Sequence, residues 1–213
     1  MRLWFLIALF FAVPGAPLWA ETERVGFGVR LFGLPVGVMA TAINTEGPYY
    51  AAASQFRTTG VVGLIARVRF TMESRGRGTH PDFDPGFYSE DMDTGYRTSS
   101  AELSFPPGDA RVDPLAAILS ILSDRAAARG CAVSGQTWDG KRSMSFQLVE
   151  QARDTARLTC RGVAVRLSGY TPEDMAKGTR FPFTVEYDLA GEWLRVRRAV
   201  AETIHGKVAL VRR

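Results

Sequence analysis

The sequence has few of the residues on which most enzyme and metal sites depend. Its 213 residues contain two histidines, His80 and His205, and two cysteines, Cys131 and Cys160. Neither histidine has the neighbours of a general base, and both are far from the cysteines along the chain. The chain also lacks a Gly-x-Ser-x-Gly elbow, a His-Glu-x-x-His motif and a dinucleotide-binding glycine fingerprint. We therefore expect a protein that is not an enzyme and that holds no cofactor.

The segment 76–95 is the one stretch that suggests a metal, because it is rich in carboxylates. Its spacing lacks the Asp-x-Asp-x-Asp-Gly and terminal Glu of a calcium loop. We interpret it as solvated turns with no metal. The alternative ligand set is His80, Asp82, Asp84, Asp91 and Asp93.

Long apolar runs are absent beyond residue 20, so no later segment is expected to cross a membrane as a helix. The first twenty residues are the exception, because they contain a long apolar run. Arg2 precedes the apolar run Leu3 to Val13, Pro14-Gly15 breaks it, and Ala20 ends the segment. This layout is typical of a secretory signal peptide cleaved near Ala20, the alternative being an uncleaved N-terminal anchor. Residues 21–213 would then form one β-rich domain.

Lysine is scarce as well, since only Lys141, Lys177 and Lys207 contribute to the 26 basic residues. This arginine bias indicates a GC-rich bacterial genome, and with the leader it predicts a periplasmic protein. The formal net charge is +4, and removing Arg2 with the leader would lower it by one. So mild a charge does not predict a nucleic-acid partner.

The two cysteines are predicted to form a disulfide, which is the usual state of a cysteine pair in an oxidising compartment. A redox-active pair would more often have Cys-x-x-Cys spacing, and a zinc site would need further ligands nearby. Cys131–Cys160 would join the end of a helix to a strand.

Alternation of apolar and polar residues recurs along the chain and predicts a mainly β protein. Phe181 to Leu189 is the clearest strand, and Asp139-Gly140 between two extended runs predicts a hairpin. Parity changes between Cys160 and Val163, which predicts a bulge at Gly162. We expect about ten strands in a curved antiparallel sheet that forms an incomplete β-barrel.

One segment, 113–129, has a helical period and is predicted to pack on this sheet. Asp113 is a suitable N-cap, Pro114 suits the first helical position, and Gly130 suits the end. The predicted helix face consists of Leu115, Ile118, Leu119 and Leu122.

The apolar segment 58–66 is ambiguous, because it is short and bracketed by glycines. One interpretation is a buried strand or turn. The other is an apolar lip over a ligand cavity, formed by Val61, Val62, Leu64 and Ile65.

Several short motifs resemble the bacterial domain-of-unknown-function 3108 family. They are Tyr49-Tyr50, Thr59 to Leu64, His80-Pro81-x-Phe83, Tyr96-Arg97, Val112 to Leu115, Asp139 to Arg142, and Cys160. The resemblance spans the chain after the leader and implies an exported β-rich protein of the bacterial cell envelope. It supplies no catalytic residues.

Two functions agree with these features. The first is a binding module whose concave sheet shelters a lipid-like or other apolar ligand, the alternative being that the same residues simply fill a core. The second is a structural or interaction scaffold that docks on envelope proteins or anionic lipids through a basic face. That face would consist of Arg67, Arg69, Arg75 and Arg77, with a second group at Arg195, Arg197 and Arg198.

Overall fold

The computed structural model describes residues 21–79 and 81–213. The predicted signal peptide and its cleavage position lie outside the described residues, as does His80. Within them, no helix is long and apolar enough to cross a membrane.

In the described residues, fourteen strands form one sheet. The first six run in chain order as a meander: β1 Glu21–Leu31, β2 Leu34–Glu46, β3 Tyr49–Thr58, β4 Arg69–Thr79, β5 Asp82–Asp93 and β6 Thr98–Ser104. The other eight are β7 Arg111–Val112, β8 Arg125–Ala126, β9 Val133–Trp138, β10 Ser143–Arg153, β11 Arg157–Ser168, β12 Arg180–Ala190, β13 Trp193–Thr203 and β14 Gly206–Arg212.

The sheet is open, and its order is β6-β5-β4-β3-β2-β1-β14-β13-β12-β11-β10-β9-β7, with β8 paired to β13. Neighbours are antiparallel except β7 and β9, which are parallel. The pairing of β1 with β14 joins the N-terminal and C-terminal runs of strands, and it lies near the two ends of the described chain. The expected curved antiparallel sheet agrees with this order, but the expectation of about ten strands and one helix was too low.

The described residues contain three α-helices: α1 Gly60–Ile65, α2 Pro114–Leu122 and α3 Pro172–Ala176. Helix α2 contacts β3, β4 and β5 on one side and β9 on the other. Since β5 and β9 lie next to opposite edges of the sheet, the sheet must curve around α2. The helix therefore occupies the concave side.

Helix α2 begins as predicted and ends earlier than predicted. Asp113 is the N-cap, its Oδ1 accepting a hydrogen bond from the Ala116 N–H at 2.8 Å, and Pro114 follows. The helix stops at Leu122, and residues 125–129 form β8 and a 3-10 turn instead of two further helical turns.

Two polar side chains explain why α2 stops. Asp124 accepts hydrogen bonds from the Val196 N–H at 2.9 Å and from Arg212, which ties this point of the chain to the sheet. Arg125 is buried, and its guanidinium donates to the carbonyls of Ser120, Ile121 and Ser123. A cation at this position satisfies the unpaired carbonyls at the helix C-terminus and complements the helix dipole.

The predicted disulfide is present. Cys131 and Cys160 are bonded, both are buried, and their Cα atoms lie 6.6 Å apart. The bond joins the segment after the 3-10 turn to β11. The Asp139-Gly140 hairpin is also present, connecting β9 to β10.

The bulge expected at Gly162 is wrong, because β11 pairs with β12 in continuous register from Arg157 to Val165. The change of parity arises because apolar residues occupy both faces of β11 at this point. Leu158, Cys160 and Gly162 face the buried side, whereas Val163 and Val165 lie half-buried on the other face.

A candidate apolar groove beside helix α2

Helix α2 divides the concave interior into a filled side and a partly open side. Leu115 and Leu119 are buried in a cluster with residues of β3, β4 and β5. Ile118, Ile121 and Leu122 of the same helix are only partly buried. The predicted helix face is therefore split, with Leu115 and Leu119 in the core and Ile118 and Leu122 beside open space.

The apolar part of this space is a cavity of about 230 Å³. Ile121 and Leu122 of α2 form one wall, and the opposite wall comes from β12, β13 and β14, with Val185, Ala199 and Leu210 among its residues. All its lining residues are apolar except Thr203. A cavity with such walls favours hydrocarbon over water.

The adjoining part is a cavity of about 460 Å³ that shares Ile118, Ile121 and Phe183 with the first. It is apolar along α2 and polar at one end. The polar end contains Glu90, Asp139, Arg142, Arg166 and Tyr170. We call the two cavities together the α2 groove. The larger part falls within the usual range of volumes for small-molecule sites, which is about 300 to 1,000 Å³, and the apolar part is below that range.

Two glycines make room for the phenylalanines in the larger part of the groove. Gly135 pairs with Phe146, and Gly162 pairs with Phe183. A Cβ at Gly135 would lie 2.8 Å from the Phe146 ring, and one at Gly162 would lie 2.2 Å from the Phe183 ring. Both rings therefore lie over glycine on a neighbouring strand, an arrangement in which aromatics cover the gap that glycine leaves.

Oriented charges form the polar end of the groove. Arg142 Nε donates to Asp139 Oδ2 at 2.8 Å. Arg166 donates to the backbone carbonyls of Asp174 and Gly178. Its guanidinium carbon lies 4.7 Å from the centre of the Tyr170 ring. Partial burial raises the pKa of Tyr170.

Arg166 is the cation of this end whose charge is least compensated. In the described part of the chain it forms no ion pair with a carboxylate. Backbone carbonyls and a ring face hold its position, and the Asp174 carboxylate compensates its charge only weakly. An anionic group in the groove would find an oriented cation there.

A buried polar network fixes the start of α2. Tyr50 Oη and Ser74 Oγ lie 2.8 Å apart, and Ser74 Oγ donates to Asp113 Oδ2 at 2.6 Å. Burial raises the pKa of the Asp113 carboxyl to about 6, against the lowering effect of the hydrogen bonds from Ser74 and the backbone. Burial also raises the pKa of Tyr50. The network is closed to solvent, and its chemistry is that of a structural N-cap.

The segment 60–65 is neither the buried strand nor the groove lip that the sequence suggested. It forms α1, which has no buried residue, and Val61, Leu64 and Ile65 are more than two-thirds exposed. Val62 is half-buried. None of the four lines either part of the α2 groove.

The predicted basic face is exposed but divided. Arg69 lies 3.8 Å from Asp91, and Arg67 precedes it at the same end of β4. Arg75 lies over the Phe87 ring at 4.2 Å and Arg77 over the Tyr49 ring at 5.4 Å. Arg75 and Arg77 line a separate depression of about 600 Å³ that also includes Asp84. In the second group, Arg197 lies within 4 Å of Glu186 and Asp188.

Sequence reasoning missed most of the groove. The groove is lined by Ile121, Phe183 and Ala199, which lie on elements that are far apart in the chain. It also contains Arg166, which no local motif marks as a binding residue. The pairing of Gly162 with an aromatic residue on the next strand would have indicated this part of the groove, but that pairing is known only from the structure. Among the described residues, no three His, Cys, Asp or Glu side chains are grouped so as to hold a metal ion.

Comparison with protein-family models, with curated proteins and with solved structures finds no match to this chain. A functional conclusion therefore rests on the fold and on the geometry of the groove.

Proposed function

We propose that the protein is an exported, non-enzymatic binding module that holds a lipid-like amphiphile in the α2 groove. The apolar chain occupies the cavity between α2 and strands β12 to β14, and the polar head lies near Arg142 and Arg166. The supporting observation is the almost wholly apolar cavity on the concave side of the sheet.

Burial energetics favour such a ligand. Each CH₂ group removed from water contributes about 0.8 kcal/mol. Thr203 supplies the one polar side chain in the cavity walls. A polar ligand would therefore lose its hydration there without compensation. A molecule with one apolar chain and one polar end matches the two parts of the groove.

Displacement of a fluorescent fatty-acid probe tests this proposal. Ala201 lines the apolar cavity, and Ala201→Phe should fill it and weaken probe binding by about tenfold or more, since several CH₂ contacts are lost. Ala53 is exposed on β3, outside the groove, and Ala53→Phe is the matched control that should bind the probe like the unaltered protein.

Equal probe binding by the unaltered protein and Ala201→Phe would contradict the proposal. Native mass spectrometry of the protein purified from its own compartment gives a second measurement, because a bound amphiphile adds a discrete mass. Protein that carries no such mass and never binds the probe would count against a carrier.

Export, a periplasmic location and membership of the domain-of-unknown-function 3108 family belong to the same proposal. They are supported by the leader-like first twenty residues and by the short motifs that resemble this family. N-terminal sequencing of the secreted form should begin near Glu21.

The alternative function is a scaffold that docks on acidic envelope partners through the basic face. The observation that favours it is the depression lined by Arg75 and Arg77, in which each guanidinium lies over an aromatic ring. Such docking would weaken steeply with salt. Binding of an envelope partner that is lost in Arg75→Ala but unaffected by Ala201→Phe would favour this function.

A further inference from the structure

Most of the exposed large apolar side chains lie at one end of the sheet. The chain connections that strand pairing brings to this end include the β1–β2 turn, the α1 segment, the β5–β6 turn and the β13–β14 turn. The registers that show this are Leu31 with Leu34 and Val208, Gly37 with Thr58, Arg57 with Arg69, and Arg69 with Asp93.

These connections carry the apolar rim, which we define as Phe32, Leu34, Val61, Leu64, Ile65 and Tyr96. Leu64 is 88% exposed, Tyr96 is 89% exposed, and the other four are between 68% and 75% exposed. At the opposite end, Tyr49 and Trp193 are the comparable described residues, each 53% exposed. A concentration of apolar side chains of this kind indicates an interaction site.

Turn chemistry does not account for Phe32. Phe32 and Gly33 are the two central residues of the β1–β2 turn, with φ of 51° and 85°. A turn with two positive φ values favours Asn-Gly, and a bulky residue at its first position is strained. The ring lies beside Gly206 of the β13–β14 turn and is still 71% exposed. The contact with Gly206 therefore leaves most of the apolar surface of this ring free for a partner.

Cations flank the part of the apolar rim that α1 and the β5–β6 turn form. Arg57, Arg67, Arg69 and Arg97 are exposed beside α1 and the β5–β6 turn. A Cβ built at Gly95 would lie 3.3 Å from the Arg67 carbonyl oxygen, so the turn that carries Tyr96 lies against the segment after α1. In the described chain, Arg57, Arg67 and Arg97 form no ion pair with a carboxylate.

The α2 groove reaches the same end of the sheet. Ser143 pairs with Ser168, which places the β9–β10 turn with Asp139 and Arg142 there. Thr203 and Val208, which line the apolar cavity, flank the β13–β14 turn. The rim and the groove therefore share one end of the molecule.

We propose that the apolar rim docks on the surface of an anionic lipid bilayer. Its apolar side chains enter the boundary between headgroups and acyl chains, and the four arginines contact lipid phosphates. Exposed apolar side chains flanked by cations fit a layer that is apolar beneath and negatively charged on top. A tyrosine at the margin fits the same interface.

Vesicle flotation tests the proposal. The protein with its leader removed should float with equimolar phosphatidylcholine and phosphatidylglycerol and much less with phosphatidylcholine alone. Replacing both Leu64 and Ile65 by serine should lower the partition coefficient by about tenfold or more, because both side chains are exposed in the protein and would be buried in lipid. Arg67→Ala should lower it about fivefold at low salt.

Two further variants separate docking from folding. Phe32→Asn suits the left-handed turn, so it should keep or raise the melting temperature while it weakens flotation. Trp193→Ser removes an exposed apolar side chain at the opposite end and should float like the unaltered protein.

Three results would overturn the proposal. They are failure to float with anionic vesicles, flotation that the rim variants leave unchanged, and self-association in sedimentation experiments that the rim variants abolish while flotation stays unchanged. The last result would identify a second copy of the chain as the occupant. Since docking does not require cargo, Ala201→Phe should float normally, which separates this test from the test of groove binding.

Discussion

Asp113 is the residue on which the geometry of the groove most directly depends. It caps α2, and its second carboxylate oxygen accepts a hydrogen bond from Ser74 on β4. This one side chain therefore fixes both the start of the helix and its distance from the sheet. Because this carboxyl group is buried, its ionisation makes the free energy of unfolding depend on pH.

Asp113 should make the protein less stable as the pH rises from about 4 to about 6. Its folded pKa is about 6 and its ordinary value is 3.8, so the folded chain holds this proton more tightly than the unfolded chain. Ionisation across that window therefore costs up to about 3 kcal/mol, a cost that remains above it. Asp113→Asn keeps a good N-cap and should remove this part of the slope.

Denaturant titrations of both proteins between pH 4 and pH 7 measure the difference. The comparison with the variant is needed because other carboxylates act in the opposite direction. Hydrogen bonds from Arg111, for example, lower the pKa of Asp109 to about 2. Parallel pH profiles of the two proteins would contradict the assignment.

At the scale of elements, the start of α2 could be predicted from the sequence and its end could not. Its N-terminus was predictable because Asp113 and Pro114 are local signals. Its C-terminus was not, because helical periodicity continues to Ala126 while Asp124 and Arg125 form contacts with strands that come 70 or more residues later or with the helix's own carbonyls. The helix therefore ends because of tertiary contacts, which a local sequence pattern does not contain.

The same contrast holds for the strands and the groove. Alternation located Phe181 to Leu189 correctly as part of β12. The exposed helix α1 was not predictable, because a short apolar run bracketed by glycine is usually buried. The groove depends on which strands face α2 across the interior, and that arrangement results from sheet order, which no local pattern encodes.

Reducing the Cys131–Cys160 bond should destabilise the protein by about 3 to 4 kcal/mol, since the bond closes a loop across a sequence separation of 29 residues. It should loosen the segment after α2 first, because that segment is held to β11 by the bond. Thermal unfolding with and without reductant measures the change. A double Cys131→Ala, Cys160→Ala variant should melt like the reduced protein, and an unchanged melting temperature after reduction would exclude a stabilising role.

At the scale of the whole molecule, α2 joins two hydrophobic clusters. One contains Phe27, Tyr187 and the disulfide, and the other contains Tyr50, Tyr88 and Leu115. Partly buried Ile118 packs on the second cluster, and Ile121 and Leu122 pack on the first. A ligand in the groove would touch both.

Saturating amphiphile should therefore stabilise the entire fold in one transition. A ligand present at a hundred times its dissociation constant adds about 2.7 kcal/mol when it binds only the folded state. Calorimetry should show one transition at a higher temperature, and Ala201→Phe should show no shift. Two separate transitions with ligand present would mean that the clusters unfold independently.

The unjoined edges of the sheet have a consequence for the width of its interior. Strands β6 and β7 end the strand order and are not hydrogen-bonded to each other. A sheet of this kind can widen by a small change in twist at each strand, without breaking any backbone hydrogen bond between neighbours. If the groove binds an apolar chain as proposed, such widening would let it accept chains of different thickness, with α2 setting the minimum width.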